Sequence, residues 1–406
     1  MRLLATPRDL PASERRLLFM LGAAFFVGQY DMTLLSLALP NVQASFEVPE
    51  EKLGAMIATA RLGAIPALLF ALVADRVGRR RLLMVTLAGL SLSCFATAFA
   101  ANAGQFMLFQ ACARLFTTLE EILAVVYALE MLAPRYRGWG VGFLAAMGGL
   151  GSGLAALLYG NVDWIPGGWR GMYLLGGLAI LYLAWLRRVL PESSMYEENA
   201  SEAAAQSFMQ PLREIFAGHR RAVVAVGLIV GAFWFQVVAS LNFMSKYLQQ
   251  SHAFTPGQVS TLFLVAGGMA IFGNVIAGRV SDTIGRRPTL AFGLLLNCAG
   301  FVVFYNSAGW VVPLAWICAL FGFFVVEVIV VAVSGELFPT TCRSTASTLR
   351  AICAVVAAAA GLFVEGILYS LLGSHAAALS LMALSALLAL PVVAALLRET
   401  AGRALD

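Results

Sequence analysis

Long apolar runs, each about the roughly 20 residues that cross a bilayer core, alternate with short polar stretches along the whole chain. They fall at roughly 17–40, 53–74, 82–101, 105–132, 138–160 and 171–189, then at 221–244, 258–280, 288–307, 311–337, 344–369 and 374–397. The period-two alternation of a membrane β-barrel is absent. Between the two groups lies a polar stretch with Pro191, Glu192 and Ser193, followed by a run of Glu, Ala and Ser. It ends in Pro211–Phe216, a segment suited to a short amphipathic surface helix. The pattern predicts an all-α polytopic membrane protein with twelve transmembrane helices in two six-helix bundles. The expected division is an N-terminal bundle over 1–189, a cytoplasmic linker over 190–220 and a C-terminal bundle over 221–406. Arg15 and Arg16 precede a full-length first run with no small-residue cleavage pattern after it, so a retained span is expected there.

Composition agrees with this class. The 406 residues are 60% hydrophobic and 12% charged, whereas a soluble domain carries about 25% charge. The net charge of +5 would suit nucleic acid only if the basic residues clustered on one face. Instead most of the Lys and Arg lie in alternate loops and at the termini. Only Lys52, Arg170 and Lys246 fall on the other side, and Arg61, Arg114 and Arg350 fall inside the runs. That asymmetry follows the positive-inside rule. It predicts an integral plasma-membrane protein of the bacterial inner-membrane kind with both termini in the cytoplasm, and no nucleic-acid partner. Cys94, Cys112, Cys298, Cys318, Cys342 and Cys353 lie in or beside apolar runs without C-x-x-C spacing and read as small buried hydrophobes. The three histidines, His219, His252 and His375, lack metal-ligand spacing. No phosphate-binding G-x-x-x-x-G-K-[ST] occurs. Neither an enzyme, a metal site nor an organic cofactor is expected.

Two motifs occur twice. Asp75-Arg76-Val77-Gly78-Arg79-Arg80 reappears as Asp282-Thr283-Ile284-Gly285-Arg286-Arg287, 207 residues later. Such a loop needs a glycine for its reversal and leaves a charge cluster where water reaches it. E-x-x-P-x-x-x-R closes the fourth run of each half, as Glu130, Pro134 and Arg137 and as Glu336, Pro339 and Arg343, 206 residues apart. Two motifs with nearly one offset describe an internal repeat. Parallel six-helix halves with a binding site at their interface near mid-membrane are a known transporter plan.

On these motifs the chain resembles the major facilitator superfamily along nearly its whole length. It is most similar to the metabolite–proton symporters and sugar porters. That narrower likeness rests on Tyr30-Asp31, Gly168-Trp169-Arg170, Pro191-Glu192-Ser193, and Gln236 with Asn242 at the six-residue spacing that sugar porters use for hydroxyl groups. The resemblance implies a cytoplasmic gate of Asp75, Arg79, Glu130, Arg137, Asp282, Arg286, Glu336 and Arg343, whose acids and guanidiniums pair in one state and part in another. Plain positive-inside topology accounts for the arginines but not for the glutamates. One departure matters: relatives carry an Arg in the fourth helix where this chain has Gln110, and Arg114 stands one turn further along.

A charge in mid-membrane costs about 2.5–3.5 kcal/mol on insertion scales, so each one is a candidate. Asp31, Arg61, Arg114, Glu120, Glu121, Glu327, Arg350 and Glu365 fall inside the runs. Each has a structural alternative, an ion pair that only holds helices together. Asp31, halfway along the first run, is the candidate proton carrier. Glu121 and Glu327 are equivalent across the repeat, while Asp31, Arg61, Arg114 and Arg350 have no charged equivalent. Unmatched charge on a symmetric frame marks where substrate chemistry has been added, and a guanidinium there suits an anion. The glycines Gly142, Gly148, Gly149 and Gly151 suit close helix packing, and the proline that drug antiporters place in that helix is missing. Trp234, Trp316 and Tyr127 are weaker candidates for stacking on a ring.

The expectation is therefore a monomeric secondary transporter for a small molecule in the lipid bilayer. It works by alternating access and most simply by proton symport of an organic anion. Asp31, Arg61, Arg114, Glu120, Glu121, Gln236, Asn242, Glu327 and Arg350 form its cavity, with protons as the coupling ion. Proton-linked efflux of cationic or amphipathic compounds and proton-coupled sugar transport are the alternatives. A non-transporting receptor on the same frame is disfavoured by the lack of an appended domain.

Overall fold

A computed structural model describes residues 10–71, 79–133, 136–179, 181, 215–338 and 343–400. The described residues are helical almost throughout, with no strand among them. The expected runs reappear as α1 (Ala12–Leu37), α2 (Leu39–Phe46), α3 (Glu50–Leu62), α4 (Ala64–Ala71), α5 (Arg79–Ala98), α6 (Ala103–Met131), α7 (Arg137–Tyr159) and α8 (Trp169–Gly177). The second half supplies α9 (Arg220–His252), α10 (Pro256–Ile284), α11 (Arg286–Asn306), α12 (Val311–Glu336), α13 (Arg343–Leu372), α14 (His375–Ala383) and α15 (Ala389–Ala395). The linker and the Pro191-Glu192-Ser193 motif lie outside the described residues.

Two runs are broken for local reasons. Pro40, at the start of α2, cannot donate a helical hydrogen bond and separates α2 from α1. Gly63 divides α3 from α4. Eight helical stretches among the described residues are by themselves long and apolar enough to span a membrane. The 29-residue α6 falls outside that set because it carries Arg114, Glu120 and Glu121. Ends are capped by sequence-local devices. Asn102 accepts from Gln105 N at 2.9 Å while Gln105 accepts from Ala101 N, and Thr255 with Gln258 forms a capping box on α10.

Contacts gather the chain into two units, Met1–Leu35 with Gly63–Gln206, and Ser36–Leu62 with Ser207–Asp406. The first unit is cored by Leu17, Leu18, Leu21, Leu87, Leu123 and Tyr127. Glycines set its closest approaches: a Cβ on Gly151 would run into the Phe26 carbonyl, and one on Gly63 into that of Ala111. Arg170 ties α8 to the end of α5 by donating to the carbonyls of Ala98 and Ala100 at 2.9 and 2.8 Å. That gives the Gly168-Trp169-Arg170 motif a structural task.

The second unit is built in the same manner. Gly300 and Gly322 let α11 and α12 approach backbone to backbone. Gly361 brings α13 onto α9 at the Phe235 carbonyl, while Gly54 and Gly366 bring α3 onto α13. This close seam explains why residues 36–62 group with the second half of the sequence. Large side chains left exposed, such as Phe99, Leu108, Leu157 and Leu388, are those expected of surfaces that face lipid tails.

Candidate functional site

In the first unit, three helices bring polar groups together in an otherwise apolar interior. Asp31 of α1 is buried, and its Oδ1 accepts a hydrogen bond from Cys94 Sγ of α5 at 3.2 Å. Gln110 and Arg114, one turn apart on α6, complete its surroundings, Gln110 also donating to Thr97 at 3.2 Å. The Arg114 guanidinium is buried and interacts electrostatically with both Asp31 and Glu121. Its Nη1 makes no hydrogen bond. Gln110 and Arg114 thus face the same carboxylate.

Glu120 and Glu121 are adjacent but differ in environment. Glu121 accepts from Gln29 Nε2 at 2.6 Å. Glu120 is 0% exposed, and neither of its carboxylate oxygens has a hydrogen-bond partner. Gly28 of α1 lies over it, so that a Cβ there would approach Thr117 at 2.9 Å and Glu120 at 3.3 Å. Thr117 Oγ1 is likewise buried without a partner. Three acids, one guanidinium and several unused polar atoms therefore share one buried region. Buried polar atoms are nearly always satisfied, and a group of unsatisfied ones is what a site awaiting a ligand or protons presents.

In the second unit the expected residues are spread among separate contacts. Glu327 pairs with Arg350 at 3.5 Å. Gln236 donates to Asn297 at 2.7 Å, and its own oxygen has no partner. Asn242 donates to the Val238 carbonyl and accepts from Ser36 at 2.9 Å, so both ends of its amide have a partner. Arg61 is half-buried near the end of α3. Trp316 is buried against Phe301 and Phe304, and Tyr127 belongs to the first unit's core. Trp234 packs on Phe233 and Phe323.

The second copy of the glycine-arginine block is assembled. Gly285 has φ +114°, a conformation that excludes most side chains. Arg286 binds Glu336 and Asp282 at 2.8 and 2.7 Å and also donates to Ser281. Glu399 accepts the backbone N–H groups of Arg286 and Arg287 at 2.8 and 3.1 Å. Of the first copy, Asp75 lies outside the described residues, as does the side chain of Arg79. The same holds for the Arg343 side chain and for Pro134 and Pro339. Glu130 is half-buried, and Arg137 donates to the Leu132 carbonyl at 3.3 Å.

Several members of these clusters escape sequence reasoning. Gln29 is two residues from Asp31, which puts it on a different helix face, so its bond to Glu121 is not implied by spacing. Cys94 reads as a small hydrophobe, although Ser91, Ser93 and Thr97 around it mark α5 as unusually polar for a span. Glu399 and Glu50 draw no attention at all. Glu50, Lys246, His375 and Glu365 form a network in the second unit whose members lie up to 325 residues apart.

A sequence model described as the Major Facilitator Superfamily matches residues 21–255 and 238–405. The chain belongs to that superfamily. Among curated relatives it is 25% identical over 400 residues to a putative niacin/nicotinamide transporter, NiaP, of Bacillus subtilis, covering 97% of this chain and 98% of that one. It is also 25% identical to the cis,cis-muconate transport protein of Acinetobacter baylyi, with 80% of each chain covered. Among solved structures, an inward-open form of the xylose transporter XylE from E. coli matches with a TM-score of 0.78 at 17% identity, over 96% of this chain and 98% of that one. The last likeness concerns the fold alone. As a member of the superfamily the chain is a membrane-spanning transporter of small molecules, not an enzyme.

Proposed function

We propose that the chain is a proton-coupled symporter for a small organic anion, working by alternating access. The observation that carries the reading is the buried group of Asp31, Arg114, Glu120 and Glu121, in which one arginine faces more acids than it can neutralise and keeps Nη1 free. Arg114 is the anchor for the carboxylate of the substrate, since a guanidinium binds carboxylates in a fixed, directional geometry. Asp31 and the two glutamates take up and release the coupling proton, so that charge entering with the anion is balanced in a region where charge is costly. The names of the two curated relatives support the substrate class in part: muconate and niacin carry carboxyl groups, whereas nicotinamide carries an amide.

The gate reading extends the proposal. The Arg286–Glu336–Asp282 group would hold the cytoplasmic end in one state and separate in the other. Orientation with both termini in the cytoplasm rests on the placement of the basic residues.

The test is uptake into proteoliposomes under an imposed pH gradient, inside alkaline, with radiolabelled nicotinate, cis,cis-muconate and xylose. The expected result is gradient-driven accumulation of at least one carboxylate and none of xylose. Carboxylate uptake indifferent to the gradient would overturn the coupling. Dye or drug extrusion without carboxylate uptake would replace the anion reading with efflux.

A further inference from the structure

Towards the C-terminal end of α9, Lys246 is 3% exposed yet fully solvated by protein. Its ammonium donates to Gln43, Glu50 and Gln250 at 2.5, 2.9 and 2.6 Å, using all three protons. Glu50, the first residue of α3, is shared. Its other contact is His375 Nε2 at 2.9 Å, while His375 Nδ1 meets Glu365 of α13 at 2.5 Å. Glu365 is buried, and its second oxygen has no hydrogen-bond partner. The imidazole is stacked on Tyr369, with ring centroids 4.1 Å apart at 25°, and lies 4.7 Å from the Phe243 ring.

A neutral imidazole has one N–H and one lone pair. It cannot donate to two carboxylates at once, and its lone pair would be set against an anion. Both contacts are satisfied only if the His375–Glu365–Glu50 group holds one proton more than a neutral ring and two carboxylates would. Either His375 is the imidazolium or one of the carboxyls is the acid; in a group this tightly coupled the proton belongs to the set. With it, two acids face two cations and the cluster is neutral. Without it, a buried carboxylate is left uncompensated. The flanking aromatic rings favour the cationic ring. The other titratable groups nearby are Glu51 and Tyr369, Tyr247 and Tyr305; Tyr305 donates its hydroxyl to the Ser240 carbonyl.

We infer that His375, Glu365 and Glu50 form a second proton site, separate from the Asp31 group, whose occupancy fastens residues 39–62 to α9, α13 and α14. The Lys246–Gln43 bond and the bond from Ser245 Oγ to the Leu37 carbonyl, 2.7 Å long, tie the same segment from the other side. With the proton lost, the neutral ring can donate to only one carboxylate; where its N–H stays on Glu365, Glu50 loses the ring and keeps its bonds to Lys246. The inference does not depend on the identity of the substrate or on proton-coupled uptake.

Hydrogen exchange on the full-length protein in nanodiscs, read by mass spectrometry and corrected for the intrinsic pH dependence of exchange, tests it directly. Exchange of residues 39–53 should rise about tenfold between about pH 5.5 and 8, the range in which histidine clusters titrate. In His375→Gln, exchange should sit at the alkaline wild-type level at every pH, because glutamine offers no titrating proton. Unchanged protection in the wild type across the range, or the same pH dependence in His375→Gln, would overturn the proposal. Should His375→Gln fail to fold, unchanged protection of residues 39–53 in the wild type across this range would overturn the proposal alone.

Discussion

The Asp31 carboxylate of α1 accepts a hydrogen bond from the Cys94 thiol of α5 at 3.2 Å. A thiol is a weak donor, so this bond positions the acid without neutralising it. Asp31→Asn preserves the shape and removes the titrating group. It is expected to abolish accumulation driven by a pH gradient, by a factor of about 10 or more on the scale of acid–base roles, while substrate exchange between equal pools continues. Uptake and exchange measured on the same proteoliposomes separate the two. Undiminished accumulation in Asp31→Asn would remove Asp31 from the coupling mechanism.

Glu120 has no partner for either oxygen, whereas its neighbour Glu121 has Gln29. A buried polar group without a hydrogen bond destabilises the fold, and replacing it by an apolar side chain of similar volume recovers about 1–3 kcal/mol. Glu120→Met is therefore expected to raise the unfolding temperature while cutting uptake, the trade-off of a residue kept for function. Glu121→Met should lower both, since it strands the Gln29 amide. Thermal unfolding in one detergent, alongside uptake, checks the pair. A destabilised Glu120→Met would mean that the carboxyl has partners in the fold.

The helices and the twofold plan were legible because they rest on run length and on motifs whose spacing repeats. Gly285 illustrates this: its place in the D-x-x-G-R-R block implies a special backbone angle, and φ is +114°. The intramembrane charges were legible as candidates because each is costly on its own. Their partners were not. Glu121 and Glu327 are equivalent in the repeat, but one is met by Gln29 from α1 and the other by Arg350 from α13, and neither pairing follows from periodicity within a helix. For the same reason, the sequence shows of His375 only that it lacks metal-ligand spacing. Its carboxylates come from α3 and α13, and only tertiary packing through Gly54 and Gly366 brings those helices together.

Arg286 joins Asp282, Ser281 and Glu336 with the planar fork of its guanidinium. Lysine keeps the charge but cannot span these partners. Arg286→Lys is expected to leave folding intact, since partly exposed ion pairs contribute about 0–1 kcal/mol, and to shift the equilibrium between transporter states. Protease or thiol-probe accessibility of the end that carries this cluster, with and without substrate, reads that shift. Wild-type accessibility and wild-type uptake in the variant would assign the cluster to topology alone.

Gly361 and Gly227 provide a matched pair for the packing argument. A Cβ on Gly361 would collide with the Phe235 backbone, whereas one on Gly227 meets open space. Gly227→Ala should be neutral or stabilising by about 0.5–1 kcal/mol from helix propensity. Gly361→Ala should cost about 1–3 kcal/mol or more, because α13 must move off α9. Chemical denaturation of both variants decides, and equal stabilities would show that the α9–α13 contact relaxes freely.

Acid should act on the fold through Glu50. Burial alone would raise its carboxyl, but the bonds from Lys246, Gln43 and His375 outweigh this and hold it below the ordinary carboxylate value. A group whose folded value lies below its unfolded one binds fewer protons when folded. Its contribution to stability is therefore complete above the unfolded value, about 4.3, and disappears as pH falls through the lower folded value. The wild type should lose thermal stability steeply below about pH 4. Glu50→Gln should start from a lower unfolding temperature at neutral pH and show a shallower decline in that acid window. This lies at the opposite end of the scale from release of the His375–Glu365 proton, which loosens residues 39–62 as pH rises, so the segment is held most firmly in mildly acidic solution. Identical acid slopes in wild type and Glu50→Gln would show that Glu50 keeps no favoured charge in the folded state.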